Sequence, residues 1–173
     1  MIQNDDFILR VKSLLSKCEC DLIISWIKKN KDICFDNEKT GYHYTDISEV
    51  PDELDFLSSA TSELTDKFVS EYPEFTMRPD PFYLNSIRFK WWKPGSHFSS
   101  WHFEHSHAYP YRIAGLQIYL SDNNCYTEFK NFENEKSVAG NAIVFPASYT
   151  HIHRGQKDPD GIDRYVLSGY YIL

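Results

Sequence analysis

Two short stretches carry the groups able to do chemistry. In WHFEHSHAYPYR (101–112), His102 and Glu104 stand two residues apart. On an extended backbone residues i and i+2 face the same way, so an imidazole and a carboxylate at this spacing can converge on one ion. The second stretch, FPASYTHIHRGQKDPDGIDRY (145–165), supplies His153 and, eleven residues later, Arg164. Two imidazoles and one carboxylate on one face of a metal leave the opposite positions open, a ligand set suited to ferrous catalysis rather than to a closed structural site. Arginine adds a planar fork that pairs with a carboxylate through two bonds and stays charged when buried. The pattern predicts a metal centre with an anion clamp beside it.

These groups need elements to hold them. Residues 7–12 (FILRVK) read as a short first strand. Ser16-Lys-Cys-Glu19 has the form of a capping box, and Leu22, Ile23, Trp26 and Ile27 follow at helical spacing, which predicts a helix over about 17–29. Residues 36–50 are polar and aromatic without a clear period and read as a long loop. Pro51, followed by Asp52 and Glu53, starts a second helix with Leu57, Ala60, Leu64 and Phe68 on one face to about residue 71.

After a Pro-rich break at 79–81 the chain reads as strands and turns. The strands predicted are 82–91, 97–104, 112–120, 126–130, 136–138, 141–145, 149–154 and 163–172. Turn signals separate them at Lys93-Pro94-Gly95, Ser121-Asp122-Asn123-Asn124, Ala139-Gly140-Asn141 and Asp158-Pro159-Asp160-Gly161. About eight short strands suggest a jelly roll or barrel, and two flanking helices make the class α+β.

Composition bounds the rest. The 173 residues suit a single domain, 1–173, with 1–80 as helical support and 81–173 as the β core. An apolar fraction of 42%, with 16% aromatic and 25% charged residues, fits a globular protein and argues against disorder. A net charge of −7 argues against a general grip on nucleic acid, which needs clustered Lys and Arg. There is no apolar run long enough for a membrane span, and the MIQNDDFILR start has no secretion-signal pattern. Cys18, Cys20, Cys34 and Cys125 form neither a CxxC pair nor a dense disulfide framework. The expectation is a soluble, intracellular, cytoplasmic protein whose cysteines are mostly small buried apolar groups.

The motifs in order are the Pro94-Gly95 turn, His102-x-Glu104, Arg112, Tyr119-Leu120-Ser121, Thr127-x-Phe129, Gly140 with Phe145-Pro146, His153-x-Gly155 and Arg164-Tyr165. This ordered set resembles the 2-oxoglutarate- and Fe(II)-dependent oxygenases, in their prolyl 4-hydroxylase-like branch. The likeness covers about half of the chain closely. It implies a double-stranded β-helix (jelly roll, cupin-like) core with the N-terminal helices packed on one sheet. It further implies that His102, Glu104 and a distal histidine hold Fe(II), while Arg164 binds the far carboxylate of 2-oxoglutarate. Tyr119 and Thr127 are implied as further cosubstrate contacts, and Trp92 and Phe98 as pocket aromatics. The chain departs from the pattern twice. Glu104 stands where most of the family has Asp, and Asn123-Asn124-Cys125-Tyr126 replaces the usual Gly-Gly before Thr127.

His151 and His153, two apart, would face the same side of a strand. Alignment on His153-Arg154-Gly155 and the spacing to Arg164 favour His153 as the distal ligand, with His151 as the alternative. His105 and His107 read as loop histidines. The resemblance implies hydroxylation of an unactivated C–H bond with 2-oxoglutarate and O2 as cosubstrates, release of succinate and CO2, and ascorbate as a candidate reductant. A prolyl residue of a peptide or protein is the first substrate reading, and a free amino acid or small metabolite the second. A mobile cover is implied at Gly41-Tyr42-His43-Tyr44. Outside the oxygenases, the competing class is a cupin-like metal-binding protein without oxygen chemistry.

Overall fold

The computed structural model describes residues 6–31, 34–37, 42–47, 50–77, 81–98, 100–157 and 159–173. Of the segments read from the sequence, most of the Pro-rich break at 79–81, part of the 36–50 segment, Gly41 and Asp158 lie outside the described residues.

Helix α1 (Lys17–Lys29) starts as its sequence dictates. The Glu19 N–H donates to Ser16 Oγ (3.2 Å) and the Glu19 carboxylate accepts from the Ser16 N–H (2.7 Å), so two of the helix's orphan donors are satisfied reciprocally. Its buried stripe is Cys20, Ile23 and Ile27, while Leu22 turns to solvent. Helix α2 (Phe56–Glu71) buries Leu57, Ala60, Leu64 and Phe68 as expected. The turn at Pro51 differs from the expectation: Asp52–Leu54 is a separate 3-10 turn closed by the Leu54 N–H on the Pro51 carbonyl (2.8 Å).

Among the described residues ten strands follow in chain order: β1 (Leu9–Val11), β2 (Phe35–Asn37), β3 (Tyr42–Ile47), β4 (Tyr83–Trp92), β5 (Arg112–Tyr119), β6 (Tyr126–Phe129), β7 (Glu135–Lys136), β8 (Ala142–Pro146), β9 (His153–Gly155) and β10 (Arg164–Ile172). Seven make one sheet in the order β1-β8-β5-β10-β4-β3-β2, and three make a second in the order β7-β6-β9. Every pairing is antiparallel. Among the described residues no helix is long and apolar enough to cross a membrane.

Three segments differ from the sequence reading. Part of the expected 36–50 loop is strand, because β3 pairs along β4 from Tyr42↔Trp92 to Ile47↔Ile87. Tyr42 packs against Trp92 in a tilted pair with centroids 4.2 Å apart, and Arg88 grips Asp46 across the same pair of strands. These contacts are tertiary, so no local period announced them. The expected strand at 97–104 reduces to one bridge, in which the N–H groups of His102 and His153 each donate to the other's carbonyl (3.0 and 2.9 Å). The expected strand at 149–154 begins as a 3-10 turn, Tyr149–His151, and only His153–Gly155 is strand.

The period of two along the large sheet divides its faces. Ile87 and Phe89 of β4, Leu116 and Ile118 of β5 and Leu167 and Tyr171 of β10 pack on α1 and α2 in one core. The alternate residues face the small sheet. A smaller cluster there joins Tyr119, Ile143, Phe145 and Val166 to Phe129.

One turn holds the core to its edge. Gly140 has φ +85°, and a Cβ at this position would lie 2.1 Å from the Leu15 carbonyl oxygen. Gly161 has φ +68° with nothing within 4 Å of the same point. Gly161→Ala is therefore expected to cost about 1 kcal/mol from backbone strain alone, and Gly140→Ala clearly more, since backbone must also move. Urea unfolding of both variants checks this, and equal midpoints would contradict it.

Candidate metal centre

The β-bridge at His102 and the short strand β9 bring two histidines face to face, with ring centroids 4.4 Å apart. Glu104 completes the group. The candidate ligand atoms of His102, Glu104 and His153 lie within 4.8 Å of one another. Glu104 Oε1 is 3.6 Å from His102 Nε2 and 3.5 Å from His153 Nε2.

Each imidazole is oriented from behind. His102 Nδ1–H donates to the Ser100 carbonyl and His153 Nδ1–H to the His151 carbonyl, both at 2.9 Å. A carbonyl only accepts, so Nδ1 carries a proton in each ring and Nε2 is the atom turned to the common point, free to offer its lone pair to a metal. His153 is 2% exposed, and its Nε2 is buried without a hydrogen-bond partner. Glu104 is held likewise, its Oε2 accepting from Arg112 Nη1 at 3.1 Å while Oε1 faces the imidazoles. β5 carries Gly115 beside the Glu104 side chain. A Cβ on that glycine would lie 3.7 Å from Glu104 Cγ and only 3.1 Å from the Phe145 ring. Three lone-pair donors aimed at one point, one of them orphaned in the interior, fit a divalent cation.

His151 is not part of this group. Its ring turns away, with Nε2–H donating to the Asp6 carbonyl (2.7 Å) and Nδ1 bonded to the Thr150 hydroxyl (2.8 Å). The 3-10 turn breaks the strand periodicity that would have put both rings on one side. His105 Nδ1 bonds the Arg112 carbonyl at 3.2 Å, and neither His105 nor His107 joins the cluster.

A cavity of about 450 Å³ opens beside the three side chains. Arg164, Tyr119, Trp92 and Phe98 line it. Arg164 lies over the Trp92 ring at 5.1 Å, and its Nη1–H donates weakly to the Gln156 carbonyl at 3.4 Å, while its buried Nε has no partner. Gly155 makes this approach possible, since a Cβ there would lie 3.1 Å from Arg164 Nη2. The Tyr119 hydroxyl bonds Thr127 Oγ1 at 2.8 Å, which donates on to Gln117 Oε1 at 2.8 Å. Thr127 therefore stands behind Tyr119. Tyr42 and Tyr44 also line the cavity, from strand β3.

The electrostatics are lopsided. Burial pushes the Glu104 carboxyl up, but hydrogen bonds from His102 and His153, made when no metal occupies their Nε2 atoms, and the charge of Lys90 outweigh it and hold the group well below the usual carboxylate range. Burial pulls Lys90 down to about 8, against the opposing charge of Glu104 and with the like charges of Arg88, Arg164 and Arg112 adding to the effect. Arg112 packs between the rings of Tyr109 and Tyr170, at 3.7 and 3.5 Å from their centroids. Arg88, Lys90, Gln117, Tyr109 and Tyr170 were not singled out by the sequence reading. The signal was present as the alternation Arg88-Phe89-Lys90-Trp91, but alternate charges on a strand ordinarily mean a solvated face.

No family model and no curated protein matches the sequence. Solved structures do match. The viral collagen prolyl hydroxylase of Paramecium Bursaria Chlorella virus-1, in its 2OG complex, superposes with a TM-score of 0.74 at 18% identity, over 99% of this chain and 98% of that one. A Pseudomonas putida prolyl-4-hydroxylase gives 0.75 at 14% identity, over 96% and 92% of the two chains. A Trichoplax adhaerens prolyl hydroxylase in complex with a hypoxia inducible factor oxygen degradation domain peptide fragment gives 0.72 at 11%, over 98% and 84%.

The chain has the fold of these hydroxylases. It does so at identities where fold alone is shared, so the roles of the side chains rest on the geometry above.

His153→Ala is expected to weaken Fe(II) or Co(II) binding at least about 100-fold, and Arg112→Met about 10-fold. His151→Ala, which keeps the carbonyl that orients His153, is expected to cost less than about 10-fold. Anaerobic titration calorimetry reads all three, and a larger loss for His151→Ala than for His153→Ala would reverse the ligand assignment.

Proposed function

We propose that the protein is a 2-oxoglutarate- and Fe(II)-dependent hydroxylase of an unactivated C–H bond, acting on a prolyl residue of a peptide or protein. One observation carries the reading: the group formed by His102, Glu104 and His153 opens into the same cavity as the buried Arg164. Support also comes from the fold shared with prolyl hydroxylases, among them one described with 2OG and one with a peptide fragment. On this reading 1–173 forms a single domain whose two facing sheets are a double-stranded β-helix.

Iron bound by these ligands would supply the oxygen chemistry, coupling decarboxylation of 2-oxoglutarate to succinate and CO2 with hydroxylation of the substrate. The chain's own part is positional. His102, Glu104 and His153 offer one face of donors and leave the cavity side open. Arg164 takes the far carboxylate of 2-oxoglutarate, its orphaned Nε and its neighbouring Nη groups providing the fork. Tyr119, backed by Thr127, stands within the same wall as a hydroxyl donor. Trp92, Phe98 and Tyr42 form aromatic walls that keep water from the metal side.

Anaerobic protein given Fe(II) and 2-oxoglutarate should develop a weak visible charge-transfer band that His102→Ala lacks. Arg164→Met should keep metal binding and weaken 2-oxoglutarate at least about 30-fold, since a buried carboxylate loses its charged partner. Absence of the band in the wild type, or a protein that takes zinc and shows no affinity for 2-oxoglutarate, contradicts the assignment.

A further inference from the structure

The cavity beside the metal ligands is lined, among the described residues, by four cations, Arg88, Lys90, Arg112 and Arg164, against the single carboxylate of Glu104. Three of these cations are committed. Arg88 holds both oxygens of Asp46, through Nε at 2.6 Å and Nη2 at 2.8 Å. Arg112 is bonded to Glu104 and fixed between two tyrosine rings. Arg164 is taken by the cosubstrate on the reading given above, on which this inference rests.

Lys90 is different. It has no ion-pair partner among the described residues, and the group recorded beside its Nζ is the Tyr42 ring, 5.8 Å away. A divalent metal and Arg164 together balance dianionic 2-oxoglutarate and Glu104, and Asp46 balances Arg88, which leaves Arg112 and Lys90; Arg112 is bonded to Glu104 and fixed between two tyrosine rings. The loaded site therefore carries surplus positive charge, and of its two sources only Lys90 lacks an ion-pair partner among the described residues, an arrangement that burial disfavours until an anion arrives. The downward pull of burial on Lys90 is in keeping with that cost.

Its place in the sheet says where the partner would sit. Lys90 lies opposite Val166 of β10 and Tyr44 of β3, two residues along β4 from Trp92, which is opposite Arg164. Arg88 comes two residues further on. There a second cavity, of about 500 Å³, begins, and the two cavities share Arg88, Tyr109, Arg112 and Tyr170. Lys90 thus stands between the cosubstrate end and the wider space.

We propose that the substrate carries a carboxylate that seats on Lys90 while the rest of the molecule extends past Arg112 toward the second cavity. Surplus positive charge calls for an anion, and the compact ammonium of Lys90 is a point charge that a single carboxylate meets. That carboxylate is either the terminal group of a free amino acid or peptide, or the side chain of an acidic residue beside the target. Lys90 is a positioning residue for this group.

The test uses the whole protein, held anaerobic with Fe(II) and saturating 2-oxoglutarate, and calorimetric binding of two matched pairs. N-acetyl-L-proline against its amide reports a terminal carboxylate. Acetylated and amidated Glu-Pro-Gly against Gln-Pro-Gly reports an acidic side chain. At least one acid should bind ten-fold or more tighter than its neutral partner, and the pair showing it names the source. Lys90→Met should reduce that preference below two-fold, Lys90→Arg should retain it, and the 2-oxoglutarate affinity of Lys90→Met, read from the charge-transfer band, should change less than two-fold.

Parity or absence of binding within both pairs overturns the proposal, as does a preference that survives Lys90→Met. A ten-fold loss of 2-oxoglutarate affinity in Lys90→Met would instead place Lys90 at the cosubstrate, and also overturns it. Failure of the wild type to develop the band at all is a different result: it removes the oxygenase reading, whereas a normal band with parity removes only the carboxylate.

Discussion

The structure depends on a convergence of like groups that would repel one another unless a cation lies between them. Two imidazole nitrogens and a carboxylate oxygen, all electron-rich, point at one place, and each is fixed from behind by a hydrogen bond. Left to rotate, these side chains would turn to water. They cannot, because Ser100, His151 and Arg112 hold the far side of each. Removing solvent strengthens every charge interaction at that point, which is why an orphaned Nε2 on a histidine 2% exposed is informative.

Holding such a group requires stability from elsewhere. It comes from the opposite face of the same sheet, where Phe89, Leu116, Leu167 and Tyr171 pack on Ile23, Ile27, Leu57 and Leu64. Each fully buried apolar side chain of this size contributes roughly 1.5–3 kcal/mol, enough in sum to offset the several kcal/mol lost in desolvating each charged group of the cavity. The period of two does the sorting. On β10, Leu167 and Tyr171 enter the helix-covered core, whereas Arg164, Val166 and Tyr170 line the cavity. One strand therefore serves stability and chemistry on alternate residues. The cavity face of the sheet also gathers cations from β4, β5 and β10, so the space is electropositive even though the whole chain carries a net charge of −7.

Legibility in the sequence followed the range of the interactions. The capping box of α1 and the buried face of α2 are local and were readable within one or two turns. Residues 42–47 carry no local strand signal, because their strand exists only by pairing with β4 and by aromatic contacts such as Tyr42 on Trp92. His102 and Glu104 do converge, yet from a single bridge and not from the continuous strand that their spacing suggested. His151 and His153 have the spacing of neighbours on one strand face, and a single 3-10 turn sends their rings apart.

By itself the sequence determined the kinds of group available and their order: two histidines and a carboxylate in two distant stretches, an arginine after them, and strands whose alternation requires one buried face. Those facts are local, set by side-chain chemistry and backbone period. Which histidine joins the group, what holds Glu104, and whether Arg88 and Lys90 face water or a cavity were decided by the tertiary structure. The alternation of charged and aromatic residues on β4 is the same in either case. Only β3, paired alongside β4, and residues of the small sheet, both placed by pairings far along the chain, turn an outward-looking row of cations into the lining of a cavity.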